Sequence, residues 1–298
     1  MTSQAATTNI VGTRKSQPNS FQRLALFITF LICGLAILFL GSNFYEIFPT
    51  NRNLTYNLIV SVVFLVLSLR FKYDRHLNKY WQITFAFFVA SVVYPVTSLT
   101  VDWKSEVLSR LGVAAVVTSQ GTAVDKVFQM ILTVVPILLL TKVSGADLGS
   151  IYLKRGNLKM GLTFGALVWF NFATSAFLFF AERFTSMDRL IAATLWGLVF
   201  SFANGFLEEL WLRAIFLKHL EPLIGPGGSV LLTSIVFATI HAGATYLNPI
   251  ALPFMLANTF TLGLACGYLM MKSDSIWGPT LIHAAADFFL FIAMLSNA

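Results

Sequence analysis

Five side chains that could take part in acid–base or hydrolytic chemistry interrupt apolar stretches of the sequence. Glu208 and Glu209 are adjacent within "FLEELWLR", and His241, His283 and Asp287 follow in later apolar runs. An ionisable group at the centre of a bilayer costs at least about 2.5–3.5 kcal/mol on insertion scales, so we expect these groups to face one another or a hydrated cavity. A carboxylate held in such a place is a candidate general base that activates water.

Helical spacing predicts which of the acidic groups are paired. Residues four apart share a helix face, so Glu209 and Arg213 can form an ion pair. Glu208 is rotated by about 100° from its neighbour and faces elsewhere. Glu208 is therefore a candidate general base, with a paired glutamate beside it.

The histidines show the same spacing. His283 and Asp287 are four residues apart, and so are Phe237 and His241, which predicts an aromatic ring against the imidazole. A Glu, a His and a His/Asp pair on three helices are therefore expected to converge on one place.

Each of these residues also has a purely structural interpretation. The Glu209–Arg213 pair could serve only to keep both charges in a helix. Either histidine could be an interhelical hydrogen-bond partner, and Asp287 could simply orient His283. Asn204 is predicted to serve packing or to bond to the backbone.

The composition indicates an integral membrane protein. Of 298 residues, 57% are hydrophobic and 11% are charged, whereas a soluble domain carries about 25% charged residues. The mean hydropathy is +0.76. Cys33 and Cys266 both lie in apolar runs, which argues against a disulfide framework or a cysteine metal cluster. The net charge of +7 comes from scattered basic residues, so nucleic acid is not an expected partner.

The apolar runs predict an all-α, polytopic transmembrane bundle of nine spans, with eight as the alternative because two runs are short. Its spans are predicted at about 24–44, 55–71, 81–100, 126–143, 160–182, 190–217, 228–243, 250–271 and 275–296. Pro136 is a predicted kink in the fourth span.

Basic residues predict the orientation. With a cytoplasmic N-terminus, fourteen of them fall on the inner side and six on the outer side. We therefore expect a multi-pass protein of the cell membrane. Three segments are predicted: a disordered cytoplasmic tail at 1–22, N-terminal transmembrane helices of unassigned role at 23–154, and a catalytic transmembrane domain at 155–298. The stretch 101–125 is predicted to be a long outer loop.

Taken together, the motifs resemble the CAAX protease and bacteriocin-processing family, which includes the abortive-infection proteins and the CAAX prenyl endopeptidase. The family motif EExxxR is matched by Glu208, Glu209 and Arg213, FxxxH by 237–241, and Hxxx(N/D) by 283–287. All three occur in order in apolar runs, and the resemblance covers about 155–295.

The resemblance implies an intramembrane glutamic endopeptidase without a cofactor or a metal. In that family the first glutamate activates water, a role that falls to Glu208, and the oxyanion hole falls to His241 and Asp287. Glu209, Arg213 and His283 would position these groups. The prenyl endopeptidases have Asn at the last position, a neutral donor, whereas Asp287 donates only when protonated. It could instead hold His283.

The expected substrate is a membrane-associated protein or peptide precursor, cut in a cavity open to the cytoplasm. Two other functions remain possible from the sequence. A zinc protease could use Glu208, His241 and His283 as ligands, although no HExxH motif is present. A non-catalytic immunity or scaffold protein could keep the same residues as a polar core.

Overall fold

The protein is a bundle of membrane-length helices. The structure, a computed structural model, describes residues 18–42, 50–113, 118–243 and 251–295, and it contains no strand within these ranges. A chain this apolar folds as helices because lipid offers no hydrogen-bond partner to an exposed backbone. The predicted all-α fold is therefore confirmed.

Ten α-helices, labelled α1 to α10, are present in the described part of the chain. Their bounds are α1 Ser20–Gly34, α2 Thr50–Tyr73, α3 Trp81–Leu99, α4 Val101–Arg110, α5 Ser119–Val143, α6 Leu158–Phe180, α7 Met187–Glu209, α8 Ile215–His241, α9 Ala251–Ser273 and α10 Trp277–Leu295. A π-helical turn, Leu35–Phe39, extends α1, and a second one, Leu210–Ala214, joins α7 to α8.

Eight apolar helical stretches of the described residues are long enough to cross a membrane. One of them, Met187–His241, has 55 residues and is far too long for a single crossing. Its helix breaks at Gly225, where φ is 80° and ψ is 165°. Glycine adopts this left-handed φ without the steric penalty of a Cβ atom. The stretch therefore supplies two of the predicted spans, which fits the expectation of eight or nine crossings.

Two predicted segments have different bounds in the structure. The tail expected at 1–22 lies outside the described residues up to residue 17, and α1 already begins at Ser20. Asn19 starts it, because its side chain accepts from the backbone N–H of Gln22 in a reciprocal capping box. About two thirds of the expected loop at 101–125 is helical, in α4 and the first turns of α5. The helix α5 continues through Pro136.

The larger part of the core lies where α1, α3 and the first arm of α8 meet. The rings of Phe30 and Phe87 are 6.1 Å apart, and those of Phe87 and Phe216 are 5.4 Å apart. The indole of Trp211 donates to the carbonyl of Ala90 at 3.0 Å. The N-terminal helices thus pack directly against the turn that follows Glu208 and Glu209.

The helices α6 and α10 cross at very short range on the other side of the bundle. A Cβ atom built on Gly278 would lie 2.6 Å from the carbonyl oxygen of Gly161. Only glycine allows this approach, and it fixes α10 against α6 one and a half turns before His283.

A polar cluster ties the connection between α5 and α6 to one end of the bundle. The ammonium of Lys218 lies 2.7 Å from Asp274 and donates to the carbonyl of Gly149 at 2.7 Å. Lys154 also pairs with Asp274, and Ile276 donates to the carbonyl of Tyr152 at 3.1 Å. This cluster marks a reference level from which the depth of the site can be read.

Candidate active site

Glu208 and His241 meet because the chain folds back at Gly225. Glu208 comes 17 residues before this glycine and His241 comes 16 after it, so the two arms place them at the same level. A continuous helix would separate them by about 50 Å. Instead Nε2 of His241 lies 3.7 Å from Oε2 of Glu208. The predicted span at about 228–243 would put His241 near its far end, whereas the structure places it at the level of Glu208.

His283 reaches the same level through α10. Lys218 follows Glu208 by ten residues, and Asp274 precedes His283 by nine. Because Lys218 and Asp274 form an ion pair, Glu208 and His283 lie at nearly the same depth in the bundle. At 1.5 Å per residue, the site lies about 15 Å from that ion pair. This is about half the thickness of the hydrocarbon layer. Nε2 of His283 lies 3.5 Å from Oε2 of Glu208.

The expected convergence of Glu208, His241 and His283 is therefore observed. Oε2 of Glu208 faces both imidazoles, and this oxygen is buried without a hydrogen-bond donor among the described residues. A carboxylate in this state is available to accept a proton from a molecule that enters the site.

Glu209 and Arg213 form the ion pair predicted from their spacing. Both side chains are fully buried, and the guanidinium donates to Oε1 of Glu209. The pair spans the π-helical turn Leu210–Ala214, a distortion that is frequent at functional sites. The guanidinium carbon lies 4.0 Å from the centroid of the Phe237 ring. This cation–π contact adds to the stabilisation of a buried charge.

Glu209 also holds His283. Its Oε1 lies 2.7 Å from Nδ1 of His283, so a carboxylate fixes both the rotation and the tautomer of this ring. A carboxylate accepts, and Nδ1 therefore carries the hydrogen. The nitrogen that faces Glu208 is Nε2.

His241 is oriented by its own helix. Nδ1 of His241 lies 2.7 Å from the carbonyl oxygen of Phe237, and the Phe237 ring lies 4.3 Å from the imidazole, tilted by 53°. The expected contact between Phe237 and His241 is confirmed. Because a carbonyl only accepts, Nδ1 carries the hydrogen here as well. Both histidines thus direct Nε2 at the Glu208 carboxylate.

Asp287 lies beside these groups but does not orient His283. Its Oδ2 is 3.7 Å from Nε2 of His283, beyond hydrogen-bond distance. It accepts instead from the side-chain amide of Asn204 at 2.9 Å. Asn204, expected to serve packing or the backbone, therefore belongs to the site, one turn before Glu208 on the same face. That spacing of four residues is the signal that could have identified it.

His241, His283 and Glu208 are residue types that can bind zinc, and they face one another here. Within the described ranges, no group of three or more His, Cys, Asp or Glu side chains is spaced to hold a metal ion. The described residues thus give the proposed zinc set no geometric support.

The helical bundle and its buried cluster define the class: a polytopic membrane protein with glutamate and histidine side chains gathered between its helices. Residues 189–289 match the family model described as type II CAAX prenyl endopeptidase Rce1-like. The resemblance predicted from the sequence is therefore confirmed for this segment. The family implies membrane protease activity.

The match covers about a third of the chain. It includes every candidate catalytic residue and leaves out α6, which the predicted resemblance had included. No curated protein and no solved structure matches the chain.

Proposed function

We propose that the chain is an intramembrane endopeptidase that hydrolyses a peptide bond of a membrane-associated protein or peptide precursor. The observation that carries this proposal is the position of Glu208. Its Oε2 accepts no hydrogen bond from a described residue and faces Nε2 of His283 and of His241. A water molecule held there would be activated by the carboxylate, which takes its proton as the oxygen attacks the carbonyl carbon.

The oxyanion needs a donor close to the base. His241 can donate through Nε2 only when its ring is protonated at both nitrogens, because Nδ1 is bound to the carbonyl of Phe237. In this mechanism His241 stabilises the developing oxyanion.

Asp287 can supply the second donor only as the protonated acid. One of its oxygens, Oδ2, accepts from Asn204, so the donor would be Oδ1. This assigns Asn204 the task of fixing the carboxyl group while leaving one oxygen free for the substrate.

Glu209 and Arg213 act through His283. Oε1 of Glu209 binds both the guanidinium and the imidazole, and none of the three side chains is more than 2% exposed. The proposed role of this triad is to position His283 Nε2 beside Glu208. A buried, hydrogen-bonded support of this kind keeps a catalytic group in productive geometry.

The substrate class follows from a groove of about 460 Å³ between α6, α7 and α10. Its lining is almost entirely apolar and consists of Leu158, Leu162, Phe202, Phe206, Trp277, Thr280 and Leu281. Phe206 precedes Glu208 by two residues, and Thr280 precedes His283 by three, so the groove lies at nearly the same depth as the site. It lies toward the lysine-rich end of the bundle, which the charge distribution predicts to be cytoplasmic. An apolar groove there suits a substrate already associated with the membrane.

The test is Glu208→Gln. This variant keeps the shape of the side chain but removes the base, and we expect a loss of about 10²–10⁴-fold in peptide hydrolysis. Comparing the peptides of wild-type and variant cells would identify a substrate that is no longer processed. Glu182→Gln, an exposed carboxylate on the same protein, is the matched control and should leave processing intact. Full activity of Glu208→Gln in a correctly inserted protein would exclude the glutamate mechanism and favour the scaffold or immunity function.

One observation keeps zinc-dependent hydrolysis as a second candidate. Both histidines bind an acceptor through Nδ1, as metal-binding histidines commonly do. Both also direct Nε2 toward the same oxygen of Glu208. The spacing of the described residues speaks against it. A chelator distinguishes the two mechanisms.

A further inference from the structure

The site contains three carboxyl groups and one permanent cation if only the family segment is counted. Glu208, Glu209 and Asp287 each have an oxygen within 4 Å of His283, whereas the permanent cation at the site, among the segment's described residues, is Arg213, which pairs with Glu209. Lys218, the next cation along α8, lies about 15 Å away at the end of the bundle. Carboxylates this close repel each other in a medium of low dielectric constant. A further positive charge near the site would offset this repulsion.

Lys126 provides that charge from α5, outside the family segment. Its ammonium lies 5.5 Å from the centroid of the Phe200 ring. Phe200 precedes Asn204 by four residues and Glu208 by eight, so all three lie on one face of α7. The ammonium is close enough to interact electrostatically with both Glu208 and Asp287.

Lys126 is held in this position by its own helix. Its ammonium donates to Oε1 of Gln129 at 3.0 Å, and the Gln129 amide donates to Asp125 at 2.6 Å. Asp125 is paired with Lys104 of α4 at 2.6 Å. Because Lys104 neutralises Asp125, the charge of Lys126 is left to act on the site.

We propose that Lys126 is a positioning residue that supplies a counter-charge for Glu208. The inference rests on the proposed function, in which an ionised Glu208 activates water. It assigns a role to helices that precede the family segment. α5 carries the cation, and Lys104 of α4 holds this part of α5 in place through its ion pair with Asp125. The charged or titratable groups that interact electrostatically with Glu208 are then His241, His283, Asp287 and Lys126.

The kinetic test compares Lys126→Met with Lys126→Arg. Loss of the charge favours the protonated form of Glu208, so kcat should fall about tenfold, as expected for one charge interaction across the site. The acidic limb of the pH–rate profile should move to higher pH. Arg keeps the charge and should restore most of the rate and the profile. The matched control is Lys142→Met, an exposed lysine at the other end of α5, which should change neither.

Two kinetic outcomes would overturn the proposal. An unchanged kcat and pH–rate profile in Lys126→Met would show that the charge does not act on the site. A raised KM with an unchanged kcat and profile would show that Lys126 binds an anionic group of the substrate instead.

A stability measurement separates this inference from the proposed function, because it needs no protease activity. Lys126→Met should lower the midpoint of thermal unfolding of the purified protein. The loss should be clearly smaller in a Glu208→Gln background, where the carboxylate that Lys126 is proposed to balance is gone. Equal losses in both backgrounds would contradict the counter-charge role even if Glu208 proves essential for hydrolysis.

Discussion

Nδ1 of His283 lies 2.7 Å from Oε1 of Glu209, although 74 residues separate them in the sequence. The same oxygen binds the guanidinium of Arg213. One carboxylate thus joins two helices of the site through a cation and an imidazole. The adjacent glutamate, Glu208, is left to face the reacting groups. Glu209 is therefore the paired glutamate, and Glu208 is the glutamate that faces the site.

Arg213→Met should destabilise the protein strongly. The substitution leaves Glu209 buried with a charge that Arg213 no longer balances, and breaking a buried ion pair costs about 3–5 kcal/mol. We expect a clear fall in the thermal unfolding midpoint of the detergent-purified protein, together with loss of activity as His283 loses its support.

Arg110→Met is the control for this prediction. Arg110 forms an ion pair with Glu106 at the same four-residue spacing, but its side chain is 77% exposed. Exposed pairs contribute little to stability, so the midpoint should stay within experimental error. Equal effects of the two substitutions would mean that burial does not determine the value of the Glu209–Arg213 pair.

Asn204→Ala should reduce the rate of hydrolysis without abolishing it. The variant removes the donor that fixes Asp287 and leaves Glu208 and the histidines in place. Asn204→Asp should be more damaging, because it adds a carboxylate beside Asp287. The control is Asn171→Ala, an exposed asparagine on α6, for which the rate should be unchanged. A wild-type rate in Asn204→Ala would show that the position of Asp287 does not depend on Asn204.

The sequence predicted the composition of the site better than its connections. Helical spacing was sufficient for Glu209–Arg213 and for Phe237–His241, because both pairs lie within one helix. The bond from Glu209 to His283 and the bond from Asn204 to Asp287 join different helices, and their partners are set by tertiary packing. The level of His241 also could not be predicted, since it depends on the fold-back at Gly225.

The boundaries of the spans were predicted within a few residues where apolar runs end at polar ones. They failed where a cap or a continuing helix decided the end: Asn19 starts α1 early, and the helix after Glu208 continues to residue 224. The predicted cytoplasmic N-terminus and the division of the chain at 22 and 154 stay predictions.

Hydrolysis should survive metal chelators. If Glu208 activates water directly, neither EDTA nor 1,10-phenanthroline should lower the rate of the purified protein after long incubation. The positive control is a known zinc protease in the same detergent. Loss of activity that added Zn²⁺ restores would assign Glu208, His241 and His283 as ligands and replace the glutamate mechanism.

Asp274→Asn should make the protein less stable at neutral pH. Partial burial opposes ionisation of Asp274, but hydrogen bonds from Lys154 and Lys218 outweigh it and lower the pKa of this carboxyl. The side chain is 44% exposed, so the ion pairs contribute only about 1 kcal/mol. Asparagine tolerates the left-handed backbone that this position has, with φ of 51°. The expected loss is a few degrees in the unfolding midpoint at pH 7.

The pH dependence of this difference has a definite sign. A carboxyl whose pKa is lowered by folding stabilises the protein above its unfolded pKa of about 3.9, and this stabilisation is lost as the pH falls through the folded value. The midpoints of wild type and Asp274→Asn should therefore differ at pH 7 and converge below about pH 3. Asp188→Asn, an exposed aspartate at the start of α7, is the control, and its midpoint should not show the convergence. A difference for Asp274→Asn that stays constant down to the lowest pH would show that the charge of Asp274 does not stabilise this end of the bundle.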